Sequence, residues 1–177
     1  MVSEAQRLHA VERAFTRGRL KLAMWGVVAT LGLMAVGRIL GSDAKALWFG
    51  GALMVVAGVS LFLGRAAGRA VLPAFAIGLI PFSALLLVQW YTGPGCHTGA
   101  CVSYCMPTCV VSGFVAGSLL AWVAVRTKGS LAFVGAAGAM IWLVGALGCP
   151  CIGISSVAAM ALGIAIPSLP VLTRLRH

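Results

Sequence analysis

Six long apolar stretches constrain this chain more than any other feature. They run over roughly 22–40, 46–64, 71–90, 110–125, 131–148 and 153–172. Crossing the hydrocarbon core of a bilayer takes about 20 apolar residues in a helix. With 61% hydrophobic and 9% charged residues among 177, the composition lies far from that of soluble globular domains. Lipid offers no hydrogen bonds to an exposed backbone, and the runs lack the alternation of barrel strands, so the spans are expected to be helices. The expected architecture is an all-α integral membrane protein, a six-transmembrane-helix bundle over 22–173. A cytoplasmic arm, 1–21, precedes it and a tail, 174–177, follows it.

The first run is too deep in a polar-rich leader, and too poor in cleavage-site features after Ile39, to read as a removable secretory signal. Its role is that of a retained span. The formal charge of +10 raises the possibility of nucleic-acid binding. That function needs basic residues gathered on one soluble face with aromatics among them, whereas here they are distributed between apolar runs, so no direct nucleic-acid contact is expected.

Basic residues collect in cytoplasmic loops, so their distribution predicts orientation. Arg7, Arg13, Arg17, Arg19 and Lys21 precede the first span, Arg65 and Arg69 follow the second, Arg126 and Lys128 follow the fourth, and Arg174 and Arg176 end the chain. In an alternating six-span path these share one side. Only Arg38 and Lys45, beside Asp43, fall on the other. Both termini are therefore expected in the cytoplasm of a bacterial cell, the chain being multi-pass in the inner membrane with its other face toward the periplasm.

That path places every cysteine on the outer side. Cys96, Cys101, Cys105 and Cys109, with His97, lie in the stretch GCHTGACVSYCMPTC, within an outer connection taken as 91–109; Cys149 and Cys151 flank Pro150 in a second, 149–152. The fourth span is expected to begin inside the first of these, near Cys105 or Pro107. If 101–109 is helical, Cys101, Cys105 and Cys109 recur at i, i+4 and i+8 and share one face, with Pro107 a candidate kink.

Three chemistries suit such thiols. In an oxidising compartment they form disulfides, most simply between the two outer connections; a Cys-Pro-Cys pair is too short and stiff to close readily on itself. As thiolates they bind soft cations such as Zn, Cu, Cd or Hg, with His97 adding an imidazole, and the uncharged surroundings make an anionic cluster costly until a cation arrives. Thiol oxidoreductase chemistry is the third, but it ordinarily uses a CxxC pair, which this chain lacks. No catalytic residues are expected.

Spans two to six carry no ionisable residue between their ends, which argues against a proton-coupled transporter. Ser60, Ser83, Gln89, Ser112, Ser118, Ser155 and Ser156 are expected to bond between helices. Gly113 and Gly117, and Gly135 with Ala139, have the small-xxx-small spacing of close helix contact, read here as packing within the chain. Pro73, Pro81, Pro167 and Pro170 mark possible bends. Met34, Met54, Met140 and Met160 fall in no MxxM box and are expected to be packing filler.

Residues 3–17 read as an amphipathic helix. Ser3 and Gln6 form a capping box, Leu8, Val11 and Phe15 make one stripe, Glu4, Arg7, Glu12 and Arg13 lie opposite, and Gly18 ends it. Such a helix lies on anionic lipid or docks a cytoplasmic partner, for which Leu8, Val11, Arg13, Phe15 and Arg17 are the candidate contacts.

In layout the chain resembles the small six-span bacterial anti-sigma factors of the NrsF-like kind, which hold an extracytoplasmic-function sigma factor at the inner membrane. The resemblance rests on the short arm, six spans, a cysteine region after the third, and VRTKGSLAFVGAAGAMIWLVGALGCPC at 125–151, similar to the family's basic turn, Gly/Ala-rich fifth span and terminal Cys-Pro. It implies a metal- or redox-sensing cysteine pair at Cys149 and one of Cys101, Cys105 or Cys109, and sigma-factor binding by the arm. The chain departs from the family in its additional cysteines, Cys151 among them, and in lacking an acidic residue soon after the Cys-Pro. Two other readings remain. One is a mercury- or copper-type membrane transporter, although no cysteines lie on the cytoplasmic side to continue a relay. The other is a structural bundle stapled by disulfides.

Overall fold

The computed structural model describes residues 18, 24, 26–36, 39, 43–63, 66–92, 100–148 and 154–174. Their regular structure is entirely helical, in six helices: α1 Gly26–Val36, then α2 Asp43–Leu63, α3 Ala66–Thr92, α4 Ala100–Arg126, α5 Leu131–Leu147 and α6 Ile154–Arg174. Three of them contain segments long and apolar enough to cross a membrane, Gly68–Tyr91, Tyr104–Arg126 and Ser155–Arg174. Lipid-facing positions account for the outer surface. Leu72, Leu87, Val111, Leu162 and Leu169 are exposed, in a concentration that water would not tolerate on a monomer.

Helix α4 starts well before the expected point near Cys105 or Pro107. The stretch 100–109 carries no charge, and Pro107, the eighth residue of α4, is carried inside the helix at the loss of one backbone hydrogen bond. The Thr108 hydroxyl donates to the Tyr104 carbonyl at 2.7 Å. Cys101, Cys105 and Cys109 therefore belong to a helix, not to a loop. Pro73 and Pro81 in α3, and Pro167 and Pro170 in α6, are likewise carried inside continuous helices. Gly18, expected to end the arm helix, is itself helical; residues 3–17 lie outside the described residues.

Glycine decides how the helices pair. A Cβ on Gly113 would lie 2.8 Å from the Met160 carbonyl oxygen, one on Gly117 2.5 Å from that of Ile164, and one on Gly163 2.7 Å from that of Val110. So α4 and α6 touch backbone to backbone, and the GxxxG spacing serves packing within the chain, as expected. Residue numbers rise together along both helices, so the pair is parallel. Helices α3 and α5 form a second parallel pair, in which Gly78 meets Val144 and Gly148 meets Phe82. These are the two most extensive helix contacts. Helix α1 runs antiparallel on α2, with Gly26 facing Leu61 and Gly50 facing Met34.

Three of the serines expected to bridge helices, Ser83, Ser112 and Ser118, bond within their own helices instead. Ser83, Ser112, Ser118 and Ser168 each donate to a carbonyl of their own helix, at Ile80, Cys109, Phe114 and Ile164. The same local bond satisfies Thr30 on Gly26. With no water to compete, a hydroxyl takes the nearest carbonyl, one turn back. One bond between helices comes from Trp142, whose Nε1–H donates to the Val157 carbonyl at 2.9 Å and ties α5 to α6.

The α4–α5 connection is a tight turn. Gly129 N–H bonds the Ala124 carbonyl at 2.8 Å and Lys128 N–H that of Val125 at 3.4 Å, a Schellman pattern. Lys128 holds the left-handed position with φ +49°. Ser130 then caps α5, its side chain accepting from Phe133 N–H at 3.3 Å.

Candidate functional site

The inner face of α4 is a stripe of small residues. Cys105, Cys109, Ser112, Gly113, Ala116 and Gly117 are all buried, at the three- and four-residue steps that align one helix face. Cys105 is 5% exposed and Cys109 2%, while Tyr104 on the opposite face is 62% exposed. The expected alignment at i and i+4 thus holds for these two thiols, and both turn into the bundle.

Cys109 lines a small, partly open cavity of about 10 Å³ together with Leu85 of α3, Gly145 and Ala146 of α5, and Ser156, Val157 and Met160 of α6. Four helices meet there, so this point joins the two parallel pairs. The space is about that of one water molecule, and none of its lining residues is charged. Met160 is 2% exposed, and its Sδ and Cε pack against Gly145, 2.8 and 2.6 Å from where a Cβ would stand. The thioether and the Cys109 thiol are both soft donors suited to a soft cation.

Met160 was expected to be filler. Nothing around it in sequence signals otherwise, because the Gly113–Met160 register that carries it to Cys109 is a property of the α4–α6 pair. Of the other candidates, Cys101 lies in the first turn of α4 with its side chain outside the described set. Cys96, His97, Cys149 and Cys151, and the arm residues Leu8, Val11, Arg13, Phe15 and Arg17, lie outside the described residues. Among the described residues no group of three or more Cys, His, Asp or Glu is close enough to hold a metal. Parallel pairing puts Gly148, which precedes Cys149 in sequence, level with Phe82 of α3.

Aromatic residues lie near both ends of the long helices. Trp90 and Tyr91 pack edge to face at 5.5 Å, and with Tyr104 they are exposed at the cysteine end. At the other end the Arg126 guanidinium lies 4.3 Å over the Trp122 ring, a cation–π contact. At about 1.5 Å rise per residue, Tyr104 and Trp122 stand ~27 Å apart along α4, close to the hydrocarbon thickness. Aromatic girdles mark the two interfaces of membrane-spanning proteins.

No protein-family model matches this chain, and neither a curated protein nor a solved structure does.

Proposed function

We propose that this chain is a multi-pass inner-membrane sensor that holds a cytoplasmic sigma factor and releases it when a soft metal ion or an oxidant reaches its outer thiols. In this reading all six helices span, with both termini on the arginine-rich side. The shorter apolar segments Gly26–Val36, Leu47–Leu61 and Leu131–Leu147 belong to spans in this reading, and Trp90, Tyr91, Tyr104 and Trp122 lie at the two interfaces.

One observation carries the reading: Cys109 sits in a cavity walled by four helices that has room for about one water molecule. Metal binding replaces a thiol proton with a cation, and joining two thiols as a disulfide gives two electrons and two protons to the oxidant. Either product changes the size and polarity of the group at this point. A close-packed interior responds by repacking, since it has little free space to absorb the change. Helices α4 and α6, in backbone contact, are the stiff elements that reach from this point to Arg126, Lys128 and Arg174 on the opposite side. The ligand shifts the balance only by favouring one packing over the other.

The full chain, purified in mild detergent from its native membrane, should carry a sigma factor when reduced and metal-free. It should release that protein on addition of Cd(II), Cu(I) or a thiol oxidant. Cys109→Ala should retain the partner under all of these conditions. A chain that carries no sigma factor in any metal or redox state overturns the proposal.

A further inference from the structure

A groove opens between α5 and α6 on the half of the bundle opposite the thiols, with a volume of about 320 Å³. Its floor is made of Gly135, Gly138 and Ala139 of α5 and Ala161 and Ala165 of α6. These small residues behave unlike those of the α4–α6 pair. A Cβ on Gly135 would meet nothing within 4 Å, and one on Gly138 only a leucine methyl at 3.7 Å. Small side chains here leave space between two helices instead of closing it.

Length and charge identify what fills the space. Leu131 and Leu172 stand at the arginine end of the groove, and Trp142 stands at its deep end, held by its bond to Val157 and its edge contact with Phe49 at 6.3 Å. From Leu131 to Trp142 the rise is ~16 Å, about half the hydrocarbon thickness and so one leaflet. Within one turn of the mouth, Lys128 precedes Leu131 and Arg174 follows Leu172, both exposed. An apolar channel one leaflet deep, with two cations at its mouth, matches one acyl chain below an anionic headgroup.

We infer that this groove holds an anionic glycerophospholipid of the leaflet on the arginine side, its chain between α5 and α6 and its phosphate at Lys128 and Arg174. Basic pockets between membrane helices recognise anionic headgroups in this way. The inference rests on the membrane-spanning part of the proposed function and is independent of the sigma factor.

The test is native mass spectrometry of the full chain, delipidated in detergent and titrated with phosphatidylglycerol and phosphatidylcholine of matched chains. Wild type should prefer phosphatidylglycerol by about tenfold, the order expected for two basic side chains near a headgroup. The double variant Lys128→Gln, Arg174→Gln should lose that preference. Gly135→Leu, which fills the groove without a backbone clash, should weaken binding of both lipids at least tenfold by the same measure, and Ala165→Leu serves if the first variant fails to fold. Equal binding of the two lipids by wild type overturns the inference, as does undiminished binding by the groove-filled variants. A dimer that Gly135→Leu dissociates with lipid binding unchanged would assign the groove to a second copy of the chain and overturn it equally.

Discussion

Replacing Gly117 by Ala tests the α4–α6 contact on which the thiol site depends. The new Cβ would stand 2.5 Å from the Ile164 carbonyl oxygen, 2.7 Å from Pro167 Cγ and 2.8 Å from Ile164 Cα. Ordinary contact begins at 3.4 Å, so the helices must separate by up to 0.9 Å (3.4 − 2.5) at this level. The obstacles are backbone and a proline ring, which no rotamer change can remove. Overpacking of this kind costs about 1–3 kcal/mol, set against a gain of up to about 1 kcal/mol from the better helix propensity of alanine. The expected net effect is a loss of about 1–2 kcal/mol. Gly135→Ala provides the control, because its Cβ enters open space and only the propensity gain remains. The assay is reversible unfolding in mixed detergent micelles, followed by circular dichroism, on both variants beside wild type. If Gly117→Ala proves as stable as Gly135→Ala, the backbone contact between α4 and α6 is wrong, and with it the placement of Met160 beside Cys109.

Three further outcomes follow from the same contacts. Lys128→Gly relieves a left-handed residue that has a Cβ and should stabilise the chain by about 1 kcal/mol in the same assay; a loss would show that the lysine side chain contributes more than its backbone costs. Trp142→Phe removes the donor to the Val157 carbonyl and should cost about 0.5–1.5 kcal/mol, the range of such bonds between membrane helices. Unchanged stability would mean the bond contributes nothing. In intact reduced membranes Cys105 and Cys109, both buried, should react with a bulky maleimide at least tenfold more slowly than in the denatured chain, since burial limits access to a thiolate. Equal rates, read by mass shift, would place these thiols on the surface.

How legible the protein was in its sequence varies by element. The helical character of the apolar runs followed from the bilayer as solvent, because a backbone in lipid must bond within itself, and nothing about tertiary contacts was needed. The spacing Cys105–Cys109, and Gly113–Gly117 behind it, already put two thiols and two glycines on one face of α4, since helix periodicity is a local property. The start of that helix was less legible. Proline and a cysteine-rich stretch signalled a boundary near Pro107, yet the helix begins seven residues earlier and carries the proline inside it.

Three matters belonged to the fold alone. Whether a glycine closes a contact, as Gly117 does, or leaves a groove, as Gly135 does, depends on the distance of a neighbouring helix, and the two look alike in sequence. Serine bonding was similar: the residues showed that hydroxyls were present, and only the packed chain showed them turned onto their own helices. Met160 reaches Cys109 through the parallel register of α4 with α6, a relation across some fifty residues that no local pattern encodes. Solvent preference and periodicity act along the chain and can be read there, whereas register and clearance arise only when two surfaces meet.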